Sequence, residues 1–126
     1  MIQVVIQGRL PGMNDFIGAM NANRWKGADL KRKETKRCAM AAMGLAKIKY
    51  PVRIEISWVE RDSRRDIDNV ASGGTKVLLD GLVMAGVLPD DSRKWIRGIS
   101  HRFPPPDKAH PRVIVDIEEW KEKENP

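Results

Sequence analysis

The segment Arg64-Arg65-Asp66-Ile67-Asp68-Asn69 sets two carboxylates two residues apart, where a run of alternating apolar residues gives way to helical spacing. On an extended backbone residues i and i+2 point to the same side, so Asp66 and Asp68 are expected to converge on one point. Two like charges at that separation repel, and a bound cation or protonation of one acid relieves the repulsion. Mg²⁺, which takes carboxylate oxygens and retains water, is the natural cation, with Mn²⁺ as a substitute. A carboxylate-held Mg²⁺ can lower the pKa of a bound water, polarise a phosphoryl oxygen and stabilise a leaving alkoxide, which is what phosphodiester hydrolysis requires. Asp90-Asp91 is a second acidic pair at another element boundary. Asp is also a favoured N-cap and turn residue, and an Asp-x-Asp alone fits that plainer role equally well.

The remaining charge suggests the substrate. With 23 Lys+Arg against 17 Asp+Glu the 126-residue chain carries a formal +6. Between Arg24 and Arg37 stand seven basic and two acidic residues, a local +5 that reads as a nucleic-acid footprint or as a solvated face. The one cysteine, Cys38, excludes an internal disulfide, and two histidines cannot complete a Cys/His zinc site, so any metal takes oxygen ligands. No apolar run is long enough to cross a bilayer, and residues 1–6 lack the pattern of a secretory signal, so no membrane partner and a cytoplasmic location are expected.

These residues need a scaffold to hold them. Residues 2–7 and 52–59 alternate with period two and read as strands; strands are also expected near 93–103 and 112–119. Residues 11–28 read as a long loop with a helical turn near 14–20. A helix is expected over 29–49 with Asp29 as N-cap, Lys31, Arg32 and Lys33 in its first turns, and Cys38, Met40 and Met43 as core filler. A second helix carries Leu78, Leu79, Leu82, Val83 and Ala85 and stops at Gly86, its start weakened by Ser72-Gly73-Gly74. The order β-loop-α-β-α-β-β predicts an α+β single domain over 1–126, with helices packed on a mixed four-stranded sheet and 120–126 a loose charged tail.

The string Asp66-Ile67-Asp68-Asn69, Lys76, Leu79-Asp80-Gly81-Leu82, Ala85-Gly86-Val87 and Asp90-Asp91 closely resembles the signature of the RusA-type Holliday junction resolvases, Mg²⁺-dependent endonucleases common in phages and prophages. Motif-level resemblance covers about residues 50–105, and Leu10-Pro11-Gly12-Met13-Asn14 is similar to the family's Pro-rich segment ending in Asn. Val70 to Thr75 separates Asn69 from Lys76, more than in the shortest family members, which bears on the placing of Lys76. The resemblance implies that Asp66, Asp68 and Asp91 are the catalytic metal-binding carboxylates, with Asp90 a weaker candidate, and that Lys76 is the essential lysine. It also implies a homodimer acting on branched DNA, since a four-way junction is two-fold symmetric and a C₂ dimer presents two matching sites.

Lys76 would supply a positive point charge to the transition state; its plainer role is an i, i+4 pair with Asp80, whose own function is left open. The residues expected to contact DNA are Arg24, Lys26, Lys31, Arg32, Lys33, Arg64 and Arg65, with Asn14 and Asn69. Trp25, between Arg24 and Lys26, reads either as a loop residue packed on the domain or as a platform for an unpaired base. His101 and His110 read as surface or strand residues. Two other functions fit the same residues: a non-catalytic basic DNA-binding module whose aspartates are caps, and a Mg²⁺ nuclease acting on another branched DNA.

Overall fold

Residues 1–121 are described by a computed structural model, and the charged run 122–126 lies outside the described residues. The elements run β1 (Ile2–Gln7), α1 (Met13–Ala22), α2 (Arg24–Ala42), β2 (Val52–Val59), α3 (Ile67–Met84), β3 (Ile96–Arg102) and β4 (Arg112–Glu119). The expected α+β fold with a mixed four-stranded sheet is what forms, in the order β1-β4-β2-β3. β4 pairs antiparallel with β1 and β2, while β3 lies parallel to β2, so β2-α3-β3 is a βαβ crossover that carries α3 across the sheet.

Period-two alternation decides which sheet face is covered. Val4, Ile6, Val52, Ile54, Ile56, Trp58, Val113, Val115 and Ile117 are buried and join Cys38, Val70, Val77, Leu78, Leu82, Val87 and Leu88 in one core. The intervening side chains form polar pairs on the other face: Arg53 with Glu118, Arg102 with Glu55, and Gln3 with Asp116. Trp120, expected to begin a loose tail, is half-buried instead; its backbone N–H donates to the Pro51 carbonyl.

The helices depart from the sequence reading in instructive ways. The expected loop at 11–28 is two helices, α1 and the first turn of α2. α1 buries no residue, so it shows no core-facing stripe; Met13, Ile17 and Met20 are exposed along it. Its start is held by the Asp15 carboxylate, which accepts from the Gly12 N–H at 2.8 Å. Asn23, in extended backbone, ends α1, and its side chain accepts from the Lys26 N–H at 2.9 Å to cap α2. α2 therefore starts five residues before Asp29, and Lys31, Arg32 and Lys33 sit well inside it, away from the positive end of its dipole. It stops at Ala42 rather than 49, with Gly44 just beyond in the left-handed region at φ 87°. Of the expected core filler only Cys38 is buried, its thiol pushed up to about 12 by desolvation, while Met40 and Met43 are 62% and 72% exposed.

α3 begins at Ile67, more than a turn before the expected weak start, and its glycines are contact points. A Cβ on Gly73 would run into the Met13 nitrogen, one on Gly74 would lie 2.5 Å from the Trp58 ring, and one on Gly81 2.5 Å from Cys38 Cβ. The lost helix propensity, about 1 kcal/mol per glycine, is the cost of letting α1, β2 and α2 approach the same helix.

Stability and its response to pH both depend on this packing. Gly73→Ala should lower stability by about 1–3 kcal/mol through overpacking against backbone. Gly18→Ala, where an added Cβ meets nothing within 4 Å, should raise it by about 0.5–1 kcal/mol. Urea unfolding reads both, and an unchanged midpoint for Gly73→Ala would refute the close approach of α1 and α3. The Trp58 indole N–H, on a ring 1% exposed, donates to Nδ1 of His101 at 2.9 Å, which requires that nitrogen to be unprotonated. Burial also holds the His101 pKa below its ordinary 6.5. The unfolded chain thus binds the proton more readily, so this contribution is intact above about pH 6.5 and is lost as pH falls below it. His101→Gln, which can still accept from the indole, should remove that component of the stability loss between about pH 7 and 5.

Candidate functional site

The paired acids sit at the start of α3, and not on the extended segment expected. Asp66 is the N-cap, with φ −65° and ψ 149°, and Asp68 is the second residue of the first turn. Both are exposed, and neither has a cation partner among the described residues. Asp68 is placed where the helix dipole favours negative charge, and its Oδ1 accepts from the Asn69 N–H at 3.1 Å.

From Asp68 onward, Ser72, Lys76 and Asp80 recur every four residues, forming one polar strip along α3. Lys76 Nζ donates to Asp80 Oδ1 at 3.2 Å and lies 3.7 Å from Asp91 Oδ2. Lys31 of α2 reaches the other oxygen of Asp80 at 4.0 Å. The chain gets back to Lys76 because Gly86, at φ 79°, reverses it after α3, and Val87 and Leu88 then enter the core. Asp91 therefore meets the helix of its own chain. The hydrogen bond and charge of Asp80, with a smaller contribution from Asp91, hold the Lys76 pKa above its ordinary value, so Lys76 is a cation and not a base at neutral pH. The i, i+4 pair of Lys76 with Asp80 is the one the spacing offered, whereas no local signal links Lys31, expected on DNA, to it.

Other predicted site residues hold the scaffold. Arg65, expected on DNA, is 12% exposed at its side chain and makes a bidentate pair with Glu60 at 2.6 and 2.8 Å. It also donates to the Leu10 carbonyl at 3.0 Å and lies 3.5 Å from Asp15, tying the entry of α3 to that of α1. Because the pair is largely shielded from water, removing one partner leaves a poorly solvated charge and lowers stability. Asn69 accepts the Asn14 N–H at 2.8 Å through its side-chain oxygen, so this pair joins the N-termini of α1 and α3. Asp90 accepts the Ser92 N–H at 2.7 Å, and that turn, through the Ser92 hydroxyl and N–H, lowers its pKa. Arg64 is 84% exposed and, among the described residues, its side chain pairs only with Asp62, at 3.8 Å.

The basic stretch divides by role. Arg32 pairs with Asp29 at 3.0 Å, Arg37 with the buried Glu34 at 2.7 Å, and Lys31 with Asp80. Arg24, Lys26, Lys33 and Lys36 have no acidic partner among the described residues and are exposed. Trp25 is 68% exposed on the first turn of α2, with the Arg24 guanidinium 5.1 Å from its ring centroid; it does not pack on the domain.

Among the described residues no three His, Cys, Asp or Glu side chains gather into a group that could hold a metal, so Asp66, Asp68 and Asp91 are not assembled as a triad. The donor chemistry of Asp66 and Asp68 still suits Mg²⁺, a hard ion commonly held by one or two carboxylates plus water and substrate phosphate. No helix among the described residues is long and apolar enough to cross a membrane. No protein-family model matches the chain, and comparison with the curated proteins finds no match.

Asp80→Asn should lower the Lys76 pKa toward its ordinary 10.5, because it removes the larger of the two anionic influences. NMR titration of the lysine side-chain nitrogens measures this directly, and an unmoved Lys76 would show that the pair does not form in solution.

Proposed function

We propose that the chain is a cytoplasmic Mg²⁺-dependent endodeoxyribonuclease of the RusA type, resolving four-way DNA junctions by paired hydrolysis in opposing strands. The contact of Lys76 with Asp91 carries this reading. Two motif residues fifteen positions apart meet at 3.7 Å on the helix that begins with Asp66 and Asp68. In this reading Asp66, Asp68 and Asp91 are the carboxylates that would hold the ion. When bound, the ion would activate a water and neutralise charge on the phosphoryl oxygens. Lys76, kept protonated by Asp80, gives a positive point charge to the scissile phosphate. Arg64 and the unpaired cations of α2 attract the backbone.

The dimer belongs to the same proposal. A single site attacks one strand at a time, and a second tethered site makes the second cut effectively intramolecular. The edge strands β1 and β3 and the exposed apolar side of α1 are the surfaces open to such pairing. The competing reading, a DNA-binding module without catalysis, draws on Asp66 at an N-cap and Asp90 in a turn.

Incubation with a synthetic four-way junction, a flap and a linear duplex separates these readings. The expected result is paired symmetric cuts in the junction that require Mg²⁺; binding without cleavage of any of the three would sink the nuclease. Asp68→Asn should reduce cleavage by about 100-fold or more while leaving junction affinity equal or tighter, since a repulsive charge is gone. Parallel loss of binding would make Asp68 structural. Sedimentation showing only monomer at assay concentration would refute the dimer.

A further inference from the structure

We infer that the outward side of α2 is a binding strip for unpaired DNA, on which Trp25 stacks a base while Lys26, Lys33 and Lys36 follow the strand's phosphates. The inference deepens the proposed function and rests on it for the identity of the polymer as branched DNA, which offers unstacked bases at its crossover.

Its basis is the placement of four side chains. At about 100° per residue, Trp25, Lys26, Lys33 and Lys36 fall within an arc of roughly 100°, along about 16 Å of helix. All four are exposed, and the opposite side of α2 is the one that buries Gly27, Cys38 and Ala42. The three lysines have no acidic partner among the described residues, although Asp29 and Glu34 are on the same helix; those acids are taken by Arg32 and Arg37. The pairing thus leaves the strip cationic.

Trp25 is turned mostly to solvent. At 68% exposure it is the most exposed aromatic residue of its kind here, where Trp58 is 1% exposed. The Arg24 guanidinium over its ring adds a second planar cation to the same spot. An exposed indole flanked by cations is the combination that binds single strands without reading sequence: every base has a π-face, and the backbone supplies the charge. A blunt duplex hides its base faces and can use only the lysines. This asymmetry distinguishes the strip from a general anionic footprint.

The test measures binding without Mg²⁺, so that cleavage plays no part. The full-length protein is titrated by fluorescence anisotropy into a labelled single-stranded oligodeoxynucleotide and into the same strand annealed to its complement. Trp25→Ala should weaken single-strand binding about tenfold or more and change duplex binding by about twofold or less; Trp25→Phe should retain most of the affinity. Replacing Lys26, Lys33 and Lys36 together by Ala should weaken both and flatten the salt dependence. Circular dichroism checks that the exposed substitutions leave the fold intact. Equal losses on the two DNAs, no loss on either, or conversion of a dimer to monomer by Trp25→Ala would overturn the strip, the last by assigning Trp25 to a second copy. If junctions are cut but Trp25→Ala changes nothing on the single strand, only this inference fails. If the single strand binds through Trp25 but no branched DNA is cut, the nuclease fails and the strip stands. Failure of the wild-type chain to bind the single strand overturns the strip, while the nuclease is decided separately by cutting of the four-way junction.

Discussion

Helix α3 touches three neighbours closer than a side chain permits. Gly73 lies against the backbone that starts α1, Gly74 against the Trp58 ring and Gly81 against α2. Interiors of this density transmit displacements, so the position of α3 sets that of every group it carries. Those groups include Asp66 at its cap, Asp68 in its first turn, and Lys76 and Asp80 on its outer strip. The buried side, its glycines with Val70, Val77, Leu78 and Leu82, seats the helix in the fold, and the polar strip beside it carries the charges.

The charged residues do two kinds of work, divided by burial. Arg65 and Glu60 are only 12% and 13% exposed, and their bidentate pair, with the Leu10 carbonyl and the Asn69–Asn14 bond, ties the entry of α3 to that of α1. Pairs of this kind are costly to break and give a rigid mount. Lys76, 57% exposed, is shared between Asp80 and Asp91 in contacts that solvent screens and that can exchange partners cheaply. A rigid mount carrying exchangeable surface charges suits a group that must meet a polyanion and a cation in the same place.

Much of this was legible along the chain, and the reason is periodicity. Each strand shows its buried face at every second residue, so β1, β2 and β4 and the sheet-forming core could be read directly from Val4, Ile6, Ile54, Ile56, Val113 and Val115. The acids, the lysine and the basic stretch were visible as residue types at given spacings. α1 was not, because a helix that buries nothing has no core-facing stripe to detect, and its Gly and Asn residues imitate a loop. The start of α3 was obscured because glycine is read as a helix breaker when its neighbours are unknown.

Local alternation and composition are enough for the α+β class, the covered sheet face and the set of charges the chain carries. Tertiary structure decided which charges are available. Arg65 and Arg64 are adjacent and alike in sequence, yet one is enclosed by Glu60 and Leu10 and the other stands in solvent. Lys31 and Lys33 differ only in helix phase, and that phase turns one toward Asp80 on α3 and leaves the other unpaired. Partners of this kind come from residues distant along the chain, and a side chain's electrostatic role depends on distances that only the packed helices and sheet establish.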